Sequence, residues 1–163
     1  KGIITDLHQQ TTIDNVYAAG DCTVSHDCSS NTDRILALLP NAFMQSEVAG
    51  KNMAGEETFY LNAIPMNAIG FYGLHIITAG SYDGDEDITE DADKEIYKKL
   101  VFKDGLLKGF ILMGDVARAG IYTSMIKEQI PLTEVDLDLL RDKPQMMMFG
   151  KARREEKLAG KKH

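Results

Sequence analysis

The sequence predicts an α+β fold: an antiparallel sheet with helices on one face, preceded by the end of an α/β unit. Three observations carry that expectation. Apolar runs of strand length gather between residues 68 and 113 and are joined by hairpin connections. Helical periodicity follows these runs rather than alternating with them, with Ile121, Tyr122, Met125, Ile126 and Ile130 on one face. Ahead of them, the compact run Val16-Tyr17-Ala18-Ala19 is stopped by Gly20-Asp21 and later succeeded by a helix, as in an open α/β sheet.

Taken in order, residues 1–23 read as short strands and turns, with Val16–Ala19 as a buried strand. Residues 24–35, dominated by Ser, Asn, Asp and Thr, read as a loop. Pro40-Asn41 opens a helix carrying Ala42, Phe43, Met44, Val48, Ala49 and Met53, with Asn41 as its cap and Gly55 at its end. Residues 56–63 form a linker. Ala68–Leu74 and Ile76–Ala79 are strands, and the acidic stretch 82–93 is a solvated loop. The clearest hairpin follows: Ile96–Phe102, Lys103-Asp104-Gly105, then Leu106–Met113, because Asp-Gly supplies the positive φ angles of a tight turn. Asp115 caps the next helix and Pro131 stops it. Thr133 with Asp136 resembles a capping box for a short helix ending near Asp142. Met146-Met147-Met148-Phe149 is adaptable apolar material for the core or for a partner. The resulting organisation is 1–55, a linker at 56–63, a small α+β domain at 64–145 and a tail at 146–163.

Composition narrows the functional classes. Of 163 residues, 44% are hydrophobic and 26% charged, which is ordinary for a globular protein. No apolar run approaches the roughly 18 residues of a membrane span, and no secretory leader is visible. The chain opens at Lys1 directly in strand-like sequence and reads as the continuation of a longer polypeptide. Two cysteines, Cys22 and Cys28, make no disulfide framework and suit a cytoplasmic setting. A net charge of −7 argues against nucleic acid or an anionic membrane as partner. The tail from Lys151 to Lys162 holds six Lys/Arg against two Glu and reads as a solvated, frayed end. The rest carries 12 basic and 23 acidic residues, net −11, seven of the acids between Asp83 and Asp93.

Several constellations carry no chemistry. Cys22, His26 and Cys28 match no zinc spacing and lack a fourth ligand. Asp83, Asp85 and Asp87 imitate the start of a calcium loop, but Ile88 stands where Gly is required and Lys94 where the bidentate Glu belongs. No metal site is expected. His75, within an apolar segment, reads as a core or interface histidine. Gly114-Asp115 reads as helix capping. No Gly-x-Gly-x-x-Gly occurs, so no dinucleotide phosphate fingerprint is present.

The informative stretch runs from Thr11 to Cys22: a polar turn, an apolar run, then a carboxylate delivered at its end. Gly20 lets backbone approach a ligand closely, and Asp21 stands where open α/β sheets place ligand contacts. The helix from Asn41 aims its positive end at electron-rich oxygens. These features describe a site for a polyhydroxylated, anionic ligand. The segment Thr11 to Asp21, with Val16-Tyr17-Ala18-Ala19-Gly20-Asp21, resembles the second FAD-binding motif of the pyridine nucleotide–disulfide oxidoreductase superfamily. Leu39-Pro40-Asn41-Ala42 through Gln45, Val48-Ala49-Gly50 and Asn52-Met53-Ala54-Gly55 is similar to the helix that follows it there. It departs at Ser46, where Gly is common, and at Leu39, where an aromatic is common.

The resemblance implies that residues 1–55 are the C-terminal piece of an FAD-binding domain. It further implies that Asp21, beside the cofactor-binding Gly20, meets the ribityl–phosphate part of FAD, and that backbone amides around Asn41, Ala42 and Phe43 face the isoalloxazine ring. Gly70-Phe71-Tyr72-Gly73-Leu74-His75, Lys99 to Gly105 and Gly109 to Asp115 resemble the small C-terminal domain of the rubredoxin reductase, nitrite reductase and NADH oxidase branch. The implied activity moves electrons from NAD(P)H, bound upstream, through FAD to an acceptor such as rubredoxin, a nitrite-reducing centre, oxygen or a disulfide. No catalytic residue falls within these positions, so the chain alone is expected to be inactive. The alternative is a non-catalytic module for homodimerisation or for docking an electron-acceptor protein.

Overall fold

The computed structural model describes residues 1–159. The first part is a three-stranded sheet and a helix. β1 (Ile3–Ile4) runs parallel to β2 (Thr23–Asp27), and β3 (Thr32–Arg34) pairs antiparallel with β2. The expected buried strand at Val16–Ala19 does not form. Val16 is exposed, and the run joins no strand, making one isolated bridge between Gln10 and Tyr17 among the described residues. The strand lies instead at Thr23–Asp27, all but its first residue within the stretch 24–35 read as loop. Its inward residues are Thr23, Ser25 and Asp27, polar side chains satisfied by internal partners. A strand whose buried face is polar gives no hydrophobic alternation to read.

α1 (Leu39–Met53) begins after Leu38, with Pro40 in its first turn, where a missing N–H costs nothing. Asn41 is not the cap. It is fully buried, donating through Nδ2 to the Ile64 carbonyl (2.9 Å) and accepting at Oδ1 from the Tyr60 hydroxyl (2.6 Å). Gly55 does end the helix, at φ +85°, with bonds from the Gly55 amide to the Asn52 carbonyl (3.0 Å) and from the Glu56 amide to the Lys51 carbonyl (2.9 Å). Residues 56–63 carry no helix, yet they do not hang free. Tyr60 and Ala63 are buried with Leu36 and Val48, and the Tyr60 amide donates to the Leu7 carbonyl (2.8 Å).

The second part is built on five antiparallel strands: β4 (Met66–Phe71), β5 (Leu74–Gly80), β6 (Asp85–Asp91), β7 (Ile96–Lys103) and β8 (Leu106–Met113), ordered β4-β5-β8-β7-β6. The β7–β8 hairpin is as expected, with Asp104 (φ 54°) and Gly105 (φ 71°) in the turn. Ala68–Leu74 is not one strand, because Tyr72 (φ 48°) and Gly73 (φ 90°) fold it back as a second hairpin. Within the acidic stretch 82–93, Asp85–Asp91 is an edge strand rather than a solvated loop. Its neighbour β7 supplies the cations that make this tolerable: Lys99 pairs with Glu86, and Lys103 with Asp83 (2.6 Å), while Arg141 reaches Asp87 (2.6 Å). Acidic side chains on an edge also discourage addition of a further strand.

Helices cover one face of this sheet. Ala79, Leu100, Phe110 and Leu112 pack with Tyr122, Met125 and Ile126 of α2 (Ala119–Lys127), with Ile130 and with Leu140 of α3 (Leu137–Arg141). The caps differ from the sequence expectation. Asp115 closes a turn by accepting from the Ala117 amide (3.0 Å), and α2 starts only after Arg118. Asp136 caps α3, accepting from the Asp138 and Leu139 amides (3.1 Å each), while Thr133 sits in a separate 3₁₀ turn. Met148 and Phe149 fill the core, whereas Met147 is exposed. α4 (Lys151–Ala159) is docked rather than frayed: Arg153 pairs with Glu134 (2.7 Å), and Lys157 pairs with Glu128 (2.8 Å) and lies 5.3 Å over the Phe149 ring. The remainder of the basic tail, 160–163, lies outside the described residues.

Burial keeps the phenols of Tyr60 and Tyr122 neutral well beyond the usual tyrosine range. An unfolded tyrosine ionises near pH 10, so these groups stabilise the fold fully below about pH 10, and that contribution declines as pH rises above it. Melting temperature is therefore expected to fall between pH 10 and 11.5, and to fall less steeply in Tyr122→Phe.

Candidate functional site

The Gly20–Asp21 turn and the start of α1 are locked to each other by one residue. Gln45, in the second turn of α1, is buried; its Oε1 accepts from the Gly20 amide (2.5 Å) and the Thr23 hydroxyl (3.1 Å), and its Nε2 donates to Ser25 Oγ. Gly20 has φ +87°, a conformation that side chains resist, and a Cβ added there would sit 3.5 Å from that of Ala42. Asp21 follows directly and is exposed.

The five residues singled out from sequence are thus distributed as follows. Gly20, Asp21 and Ala42 are brought together. Phe43 projects outward, 70% exposed, with Leu39 near it in the same helical turn at 83%. The side chain of Asn41 turns inward to Tyr60 and Ile64. The Asn41 and Ala42 amides both reach the Leu38 carbonyl (3.0 and 3.1 Å), and Pro40 has none to offer. The electrostatic influence of this helix start is therefore mainly that of its dipole.

Gln45 escaped the sequence reading as a positioning residue. The signal was available, because Asn41, Gln45, Val48 and Ala49 form the buried stripe of α1, and amides within an apolar stripe require internal partners. Asp27 is a second buried group that its loop-like sequence surroundings do not announce. It accepts from the Ser29 amide (2.9 Å), Ser29 Oγ (2.6 Å) and Ser30 Oγ (2.9 Å), and pairs with Arg34 (2.8 Å), which braces the β2–β3 connection.

Cys22, His26 and Cys28 do not converge. His26 pairs through Nδ1 with Asp33 (2.8 Å), Cys22 is exposed, and Cys28 packs against the main core. Burial, assisted by the neighbouring Asp27 charge, pushes the Cys28 thiol above its ordinary range. Since the thiolate is the reactive form, alkylation at pH 8 followed by mass spectrometry is expected to modify Cys22 roughly tenfold faster than Cys28.

The chain shares its fold with FAD-dependent pyridine nucleotide–disulphide oxidoreductases of known structure. Within it, residues 65–130 match the rubredoxin NAD+ reductase C-terminal domain. The epsilon subunit of NADH-dependent phenylglyoxylate dehydrogenase from Aromatoleum evansii is 34% identical over 140 residues, covering 82% of this chain and 33% of that protein. NADH-rubredoxin oxidoreductase from Clostridium acetobutylicum is 28% identical over 119 residues, covering 72% of this chain and 30% of that one. An FAD-dependent pyridine nucleotide-disulphide oxidoreductase from Desulfovibrio vulgaris shares the fold, with a TM-score of 0.72 at 18% identity over 86% of this chain and 39% of that chain. The chain spans about a third of the length of these two curated relatives.

Proposed function

We propose that this chain supplies one wall of an FAD site and an appended small domain to an oxidoreductase that moves electrons from NAD(P)H through FAD to an acceptor. The supporting observation is the Gly20–Asp21 turn, held by Gln45 against the start of α1 with the Asp21 carboxylate left in solvent. Residues 1–55 then close the FAD-binding domain, and 64–145 form the small domain. FAD supplies hydride acceptance and electron release. Asp21 accepts hydrogen bonds from hydroxyls of the ribityl chain, and Gly20 admits its backbone. The positive end of α1, at Asn41, Ala42 and Phe43, favours the electron-rich edge of the ring. Exposed Phe43 and Leu39 offer apolar surface beside it. An acceptor protein is suggested by the rubredoxin named in the Clostridium relative, and the two cysteines favour a cytoplasmic setting.

The test is the protein made from its complete reading frame. It is expected to carry FAD and to reduce a dye with NAD(P)H, and Asp21→Ala is expected to weaken FAD binding about 10- to 100-fold, the scale of a lost charged hydrogen bond. A full-length product that lacks flavin and takes none up would overturn the reading. The 163-residue chain alone, with no phosphate fingerprint, is expected to leave FAD fluorescence nearly unquenched.

A second reading, a dimerisation or partner-docking module, is favoured by the face of the second sheet opposite the helices. Ile69, Phe71 and Ile88 stand about half exposed or more there.

A further inference from the structure

That face has a built feature at one end. The register sets Glu90 opposite Tyr97, Tyr97 opposite Met113, Met113 opposite Ile76 and Ile76 opposite Ile69, one row across all five strands. Residues directly opposite in a ladder share a face, and the alternate row, with Ile77 and Leu112, belongs to the helix-covered core. Where this row meets the Tyr72-Gly73 turn and the 3₁₀ turn Ala92–Lys94, a groove of about 680 Å³ opens. Phe71, Tyr97 and Met113 line it, beside Tyr72, Glu90 and Glu95. Tyr72 is 97% exposed and meets the Phe71 ring edge-on at 4.7 Å.

Charge decides what such a groove accepts. Of the acids around it, Asp91 is engaged by Lys94 (2.7 Å), whereas Glu90 and Glu95 take part in no ion pair among the described residues. Aromatic faces flanked by uncommitted carboxylates attract a cation both by charge and through the ring quadrupole. An acidic partner is repelled, and so is a second copy of a chain whose net charge is −7.

We propose that this groove docks a basic segment of a partner protein. A Lys or Arg side chain lies against Tyr72 within reach of Glu90 and Glu95, and adjacent apolar side chains rest on Phe71 and Met113. The inference rests on the docking role and not on the flavin site, so its readout is independent of flavin content.

The test uses the whole chain and a fluorescein-labelled nonapeptide of alternating Lys and Leu, with a Glu/Leu peptide as control. Anisotropy is expected to saturate with the Lys peptide alone and to lose most of its amplitude at 0.5 M salt. Affinity should fall at least fivefold in Tyr72→Asn, which removes the ring but tolerates the left-handed backbone of that position, and in the Glu90→Gln/Glu95→Gln double variant. Amide shifts on binding should gather at 71–74 and 90–97. No saturable binding, equal binding of the Glu peptide, undiminished affinity in both variants, or shifts centred elsewhere would each overturn the proposal.

Discussion

Gly80→Ala is expected to abolish the folded state or to lower its stability by about 4 kcal/mol or more, a loss confined to mechanisms such as core disruption and severe backbone clash. Gly80 ends β5 at φ +81°, where the chain passes so close to β8 that an added Cβ would lie 2.0 Å from the Lys108 carbonyl oxygen. Relief by a rotamer change is impossible, because the carbonyl is backbone and the backbone alone fixes where the Cβ lies. The crossing is also hydrogen-bonded, from the Ser81 amide to that same carbonyl (2.8 Å), and Gly109 makes the reciprocal approach to the Ser81 carbonyl. Chemical denaturation of the variant measures the loss. A midpoint equal to that of the parent sequence would show that the β5–β8 crossing is looser than described.

Gln45→Leu is expected to cost about 2–6 kcal/mol and to release Asp21 from its fixed position. The volume is nearly conserved, so the effect isolates hydrogen bonding. The Gly20 amide and Ser25 lose their partner in a buried setting, at roughly 1–3 kcal/mol for each unsatisfied group. Thr23 is spared, because its single hydroxyl proton can go wholly to the Gly20 carbonyl (2.8 Å). Hydrogen exchange should therefore accelerate at residues 20–25 but not within the Tyr122–Ile126 core. In the full-length protein the same substitution should weaken FAD binding although Gln45 itself is buried beneath the turn. Unchanged exchange at 20–25 would mean that the turn holds its shape without this clamp.

Structure is legible in the sequence where a residue's neighbours in space are also its neighbours along the chain. Asp104-Gly105 announced its hairpin because a two-residue turn is decided by the backbone preferences of those two residues. Gly55 announced the end of α1 for the same reason. The spacing of Tyr122, Met125 and Ile126 marked a buried helical face before any partner was known. The chain stop at Gly20-Asp21 was legible from the glycine, though not the clamp beneath it.

The chain by itself therefore determined the Asp104-Gly105 turn, the helix end at Gly55, its amphipathic helix and the acidic residue it presents beside a glycine. Only the tertiary structure decided that the polar run at Thr23–Asp27 is a strand, that Asp85–Asp91 joins a sheet, and that α4 docks instead of fraying. Each of these depends on partners distant in sequence: Gln45 and Arg34 for the first, Lys99 and Arg141 for the second, Glu128 and Glu134 for the third. Polar and charged segments have no intrinsic drive toward burial or order, so their structure is set by whichever complementary groups the fold brings to them.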